Sequence, residues 1–233
     1  MIAIKNIVVQ FGGVTALDNI SAQLTASIVG LVGPNGAGKT TMLNVLSGFL
    51  SPTSGEFSLD GIALHGVSPV ARARLGLRRT FQQELVVETL SLEDNIIAVV
   101  DHLGSGDRRQ QIDRALQLTG MQPYAQIPGK SLNLFQRRMT EIAKTLIGNP
   151  KLILMDEPAA GLDENESRIL RQVVAALPNE VGAQIIIIDH DTKLISDICI
   201  ETMVLDFGKL LAFGPTRQTL DDPSVRLAYL GAA

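Results

Sequence analysis

The stretch GPNGAGKT, Gly33 to Thr40, has the form G-x-x-x-x-G-K-[ST]. It follows the apolar run IVGLV and leads into TMLNVLSGFL, so a strand feeds a helix through a glycine-rich turn. Glycines let backbone N–H groups close around phosphate oxygens, and a helix N-terminus adds partial positive charge. Lys39 has the reach for the β- and γ-phosphates, and the Thr40 hydroxyl suits Mg²⁺. Asn35, Gly36, Gly38, Lys39, Thr40 and Thr41 are therefore the candidate ATP-binding set. A glycine-rich turn without a ligand is the plainer alternative, and the strand before it and helix after it argue against that.

A second stretch, LILMDEP, ends an apolar run in two acids. Asp156 at the strand end can hold Mg²⁺ through water. Glu157 can orient or deprotonate an attacking water, although one of the two acids could instead cap the strand. His190 ends another apolar run, IIIIDH. A lone histidine is more often structural. Parallel strands, however, deliver their C-terminal ends to one crevice, which makes His190 a catalytic candidate beside Glu157.

These residues need strands that end together. IAIKNIVVQF, ISAQL and SIVGLVG read as strands; SPTSGEFSLDGIAL and ETMVLDFGKLLAFG read as hairpins. KLILMD and AQIIIIDHD read as strands buried on both faces, with the amphipathic helix ENESRILRQVVAALP between them. From about Ser91 to Leu146 the pattern is helical, broken at GSGD and QIPGKS. The expected architecture is an α/β phosphate-loop NTPase core with a mainly parallel sheet. It carries an N-terminal antiparallel β subdomain and a helical lobe inserted at about residues 85–145, all in one domain over residues 1–233.

Composition narrows the classes. The 233 residues are 45% hydrophobic and 19% charged, which excludes a disordered chain. A net charge of −4 gives no basic field for nucleic acid. The single cysteine, Cys199, reads as a buried small hydrophobe in a reducing compartment. MIAIKNIVVQF alternates like a strand, so no secretory signal is expected, and no apolar run is long enough to span a bilayer. The expectation is a protein soluble when isolated, with any membrane role supplied by a partner.

Taken together, the motifs resemble the ATP-binding cassette family over nearly the whole chain. The resemblance implies that Phe11 of VVQFGGVTALDNI stacks on adenine. Gln82 of LRRTFQQ matches a glutamine loop that links the γ-phosphate and Mg²⁺ to a transmembrane partner, joining Thr40 and Asp156 at the metal. Asp163 of AGLD matches a loop facing a second cassette, and His190 matches a histidine that contacts the γ-phosphate. ARLGLRRTFQ, DEPAAGLD, IDHD and the closing DDPSVRLAYLG further resemble the cassettes of branched-chain amino-acid importers. Cassettes for urea, other small amides or lipopolysaccharide export share parts of that pattern. The implied partners are transmembrane permease subunits, a second cassette and, indirectly, a substrate-binding protein. The implied place is the cytoplasmic face of the plasma membrane, peripherally bound.

One stretch departs from the family. Its signature helix starts Leu-Ser-Gly-Gly-Gln and closes on a phosphate held by the opposite cassette. Here Leu132, Asn133, Leu134, Phe135 and Gln136 stand at those positions. Asn133 can still cap the helix and offer an amide. Phe135 is large where a backbone passing close to phosphate favours glycine. The trans contacts are thus expected from Asn133, Phe135, Gln136 and Asp163 in altered form, with a plain helix cap as the alternative. Arg72, Arg74, Arg78 and Arg79 read as a solvated face, or else a contact to a transmembrane subunit. QLTAS before the phosphate loop reads as a tight hairpin. A soluble phosphate-loop kinase is disfavoured, because no arginine-rich lid is evident.

Overall fold

The computed structural model describes residues 1–103 and 106–230; Gly104, Ser105 and Gly231, named with the segments above, lie outside them. Contacts divide the chain into two units, Met1–Arg72 together with the chain from Gln184, and Ala73–Ala183. Among the described residues, no helix is long and apolar enough to cross a membrane.

The first unit contains two sheets. In one, β1 (Ile2–Phe11) lies between β2 (Val14–Leu24) and β4 (Ser54–Leu59), both antiparallel to it, and β5 (Ile62–Ala63) closes a hairpin on β4. Ile2, Ile4, Ile7 and Val9 are buried, so the inward alternation shifts phase between Ile4 and Ile7. Asn6 there has φ 51°, the local kink of a bulge that keeps both halves of the strand facing the core.

In the other sheet, β3 (Ile28–Val32) is buried at every residue and pairs parallel with β8 (Gln184–Ile188) and β9 (Glu201–Asp206). β10 (Lys209–Pro215) returns antiparallel to β9, the expected late hairpin. A strand buried on both faces reads as the continuous apolar run seen in its sequence. β3 leads through the phosphate loop into α1 (Lys39–Ser47).

QLTAS is not a hairpin. β2 pairs with β1, while β3 pairs with strands of the other sheet, so Thr25–Ser27 carries the chain from one sheet to the next. The carbonyls of Ala26 and Ser27 accept from Gln184 Nε2 at 2.9 Å and Ile185 N at 2.8 Å. Those bonds tie the crossing to β8 rather than to a returning strand.

The arginine cluster is not a solvated face either. α2 (Pro69–Arg74) carries Arg72 inward, where its guanidinium donates to the carbonyls of Val45 and Leu46, both at 2.7 Å, and Leu64 at 2.6 Å. Val45 and Leu46 lie in the last turn of α1; the Val45 carbonyl also accepts from Gly48 N at 3.1 Å, and Arg72 adds a positive charge that closes that helix end. Arg78 is likewise buried, donating to the carbonyls of Ile147 at 2.9 Å and of Ala73. Desolvation pulls both guanidiniums below their ordinary value. Five donors on one planar group let carbonyls alone surround a buried arginine. Only Arg74 of the four is exposed.

The second unit pairs β6 (Leu77–Arg79) parallel with β7 (Leu152–Asp156), with Leu77 opposite Leu152 and Arg79 opposite Leu154. α3 (Leu92–Leu103), α4 (Arg108–Thr119) and α5 (Leu134–Thr145) pack on one another and form the helical lobe. α6 (Glu164–Val181) runs past Pro178, where the sequence pattern suggests an end. Gly182 stops it in the left-handed conformation and donates back to the Pro178 carbonyl. The chain then returns to the first unit, where α8 (Thr216–Asp221) packs on β9 and β10, and α7 (Thr192–Ile198) and α9 (Pro223–Val225) pack on α8.

Candidate nucleotide site

The candidate residues divide between the units. The first holds the phosphate loop, Phe11 and His190. Gly33 has φ 148°, and a Cβ there would lie 2.1 Å from the Leu205 carbonyl oxygen, so only glycine fits. Gly38 has φ 102° and sits as the N-cap of α1 with no side-chain cap, the kind of helix start whose first-turn amides can take an anion. Lys39 is 7% exposed, and its ammonium donates to the carbonyls of Gly33 at 2.7 Å and Pro34 at 3.0 Å. The charge is thus held against its own loop. Asn35, Gly36 and Thr40 are exposed and Thr41 half-buried, so the loop's outer rim is accessible.

Phe11, the last residue of β1, is 54% exposed. His190 is exposed after β8. Its neighbours are fixed: Asp191 N donates to Asp189 Oδ1 at 2.9 Å, and the Asp191 carboxylate caps α7 through Lys193 N and Leu194 N.

The second unit holds the acids. Asp156 is buried at the end of β7, with Arg79 Nη2 3.2 Å from its Oδ2 and its amide donating to Thr80 Oγ1 at 3.3 Å. Glu157 follows with φ 51°, a left-handed backbone that a non-glycine residue adopts at a cost of about 1 kcal/mol or more. Glu157 Oε2 accepts from Gln82 Nε2 at 3.1 Å. The two acids are thus each held by the segment Arg79–Gln82: Arg79 takes Asp156, and Gln82 takes Glu157. Burial lowers the Arg79 pKa, with Asp156 pulling the other way, and the guanidinium stays charged.

Two residues outside the expected set enter here. Arg79 is one. Arg138 on α5 is the other: it is buried, donates to the Gln82 carbonyl at 3.0 Å and lies 3.0 Å from Glu84. The helix that begins at Asn133 therefore anchors the glutamine loop. The sequence offered a weak signal, a basic residue at one strand end and an acid at another, but only the strand register pairs them.

At the start of α5, Asn133 Oδ1 accepts from Gln136 N at 2.8 Å while Gln136 Oε1 accepts from Asn133 N at 3.0 Å. Asp163 and Glu166 repeat this capping box at α6. Leu134 is 38% exposed and Phe135 half-buried. A Cβ built on Gly161, just before α6, would lie 3.0 Å from Leu134 Cδ2.

Among the described residues, no three His, Cys, Asp or Glu gather as a metal cage. Thr40, Gln82 and Asp156 offer hard oxygen donors, which suit Mg²⁺, an ion that keeps several waters and completes its shell with substrate phosphates. Each of the three, taken singly, carries an oxygen of the kind that ion takes.

A strand, a glycine-bound phosphate loop and an uncapped helix start, with a second parallel strand ending in two acids, define an α/β phosphate-loop nucleotide-binding protein. Residues 17–160 match the ABC transporter family. The chain is 36% identical to the high-affinity branched-chain amino acid transport ATP-binding protein LivG of Salmonella typhimurium, covering 100% of this chain and 98% of that protein. It is 33% identical to the lipopolysaccharide export system ATP-binding protein LptB of Acidithiobacillus ferridurans, covering 91% and 89%. The crystal structure of an ATP-binding cassette of an ABC transporter, in its ADP conformation, shares the fold with a TM-score of 0.88 at 24% identity, covering 100% of this chain and 99% of that one. The chain belongs to the ABC transporter family.

Proposed function

We propose that this chain is the ATP-binding and ATP-hydrolysing subunit that energises an importer of branched-chain amino acids or similar small polar solutes. The phosphate loop carries the reading: an uncapped helix start, glycines that admit no side chain, and Lys39 held against its own loop. Full-length similarity to LivG supports the cargo. Phe11 stacks on adenine, while the loop amides from Asn35 to Thr41 hold the phosphates. Thr40, Gln82 and Asp156 are the Mg²⁺ ligands, directly or through water. Glu157 orients and deprotonates the attacking water, and His190 contacts the γ-phosphate. Gln82 Nε2 takes one acceptor site on Glu157 Oε2, and a carboxylate offers about four such sites, so this bond orients the acid without blocking that role. Mg²⁺, when bound, neutralises charge on the phosphates.

The chain works peripherally at the cytoplasmic face of the plasma membrane. Its partners are transmembrane permease subunits, a second cassette across Asn133, Phe135, Gln136 and Asp163, and indirectly a substrate-binding protein. Two observations favour other readings. The large Leu134 and Phe135 fit a cassette that binds ATP but turns it over weakly, and the LptB match fits a lipid exporter.

Calorimetry and turnover test the proposal together. Lys39→Ala should abolish ATP binding by removing charge from the β- and γ-phosphates. Glu157→Gln should keep binding and lower hydrolysis by about 10²-fold or more. His190→Ala should lower turnover with an unchanged melting curve. Undiminished ATP binding by Lys39→Ala would sink the loop assignment.

A further inference from the structure

We infer that Arg79 is a built-in counter-cation for Asp156 and sets how tightly the site takes its divalent ion. This rests on the proposed role of Asp156 as the metal's strand-end acid. Both side chains are nearly closed to solvent, 7% and 6% exposed, and Arg79 Nη2 stands 3.2 Å from Asp156 Oδ2. Parallel pairing of β6 with β7 sets Arg79 opposite Leu154, two residues before the acid, so the strand frame fixes the pair. The guanidinium also lies over the Phe81 ring, 5.0 Å from its centroid, which holds it from a second side.

A buried carboxylate is stable only when paired. Arg79 supplies that pairing before any metal arrives. A divalent ion approaching Asp156 then meets a fixed positive charge a few ångströms away, where weak screening makes repulsion strong. Arg79 thus trades metal affinity for an acid held in place by a fixed partner. It is a positioning residue, acting through Asp156.

Two kinds of measurement test this. Mn²⁺ is titrated into protein saturated with a non-hydrolysable ATP analogue and followed by electron paramagnetic resonance. Thermal melts are recorded without metal or nucleotide. Arg79→Met should tighten Mn²⁺ by about tenfold and lower the metal-free melting temperature. Arg79→Gln keeps a donor for Asp156 without the charge; it should fold better and tighten Mn²⁺ similarly. Arg79→Lys should stay near the parent in affinity. Unchanged or weaker Mn²⁺ binding in both neutral variants would overturn the inference and leave Arg79 a strand tie. Asp156→Asn separates the underlying reading: if it binds Mn²⁺ as the parent does, Asp156 is not the metal's acid, and both ideas fall.

Discussion

Cys199 shows how one residue's surroundings fix its chemistry. Its Sγ packs against the middle of β3: a Cβ built on Gly30 would stand 3.3 Å from it. Burial, and secondarily the charge of Asp189, pushes the thiol up to about 12. The thiolate is the reactive species, so native protein should resist thiol reagents at pH 8 and react on unfolding. The linkage sign follows. The folded pKa is raised, so the native state keeps a proton that the unfolded chain loses above about pH 9. The stability this group contributes is whole below that pH and drains away toward pH 12, at about 1.4 kcal/mol per pH unit at most. Melts of the parent and Cys199→Ala between pH 8 and 10.5 should diverge, with the parent falling faster. Burial of Cys199 was legible from its being a lone cysteine in an apolar chain. The fate of the arginines was not, because Arg72 and Arg78 bind carbonyls up to 69 residues distant in sequence. Only the fold assembles those acceptors.

At the scale of the element, α5 and α6 begin alike, each with a reciprocal capping box and each next to the other through Leu134 and Gly161. N-x-x-Q and D-x-x-E announce such starts in sequence, which is why both helix origins were readable. Removing the acceptor should cost α5 about 1 kcal/mol. Asn133→Ala should therefore lower the urea midpoint with an unchanged slope, whereas Asn133→Ser should restore most of it. If Asn133→Ala leaves the midpoint where it was, the cap contributes nothing and the start of α5 is held by its tertiary contacts. The crossing at Thr25–Ser27 and the extension of α6 beyond Pro178 were not readable. The first depends on which strands accept β3, and the second on a carbonyl that a proline can still offer to Gly182. Local pattern carries periodicity and caps; partner choice is non-local.

For the whole molecule, the altered helix start bears on how two cassettes pair. The family resemblance places Asn133, Leu134 and Phe135 where a Ser-Gly-Gly backbone would close on the phosphate of an opposite chain. The expected result is a chain that dimerises poorly with itself on ATP and hydrolyses slowly alone. With a second, non-identical cassette, this chain's phosphate loop would use the partner's signature. The opposite site would receive LNLFQ and be the weaker of the two. Leu134→Gly with Phe135→Gly, assayed alone and with the partner cassette, tests the idea. The glycines cost helix stability, about 1 kcal/mol each within α5, and the loss of Leu134 also frees Gly161 from a close neighbour. A melt must accompany each assay for that reason. ATP-driven dimerisation followed by light scattering should rise, and turnover with it, if bulk at the helix start obstructs closure. Brisk turnover in the parent homodimer, lowered by the double replacement, would instead make Phe135 an adapted contact. Two equivalent sites would then be the natural state of this chain.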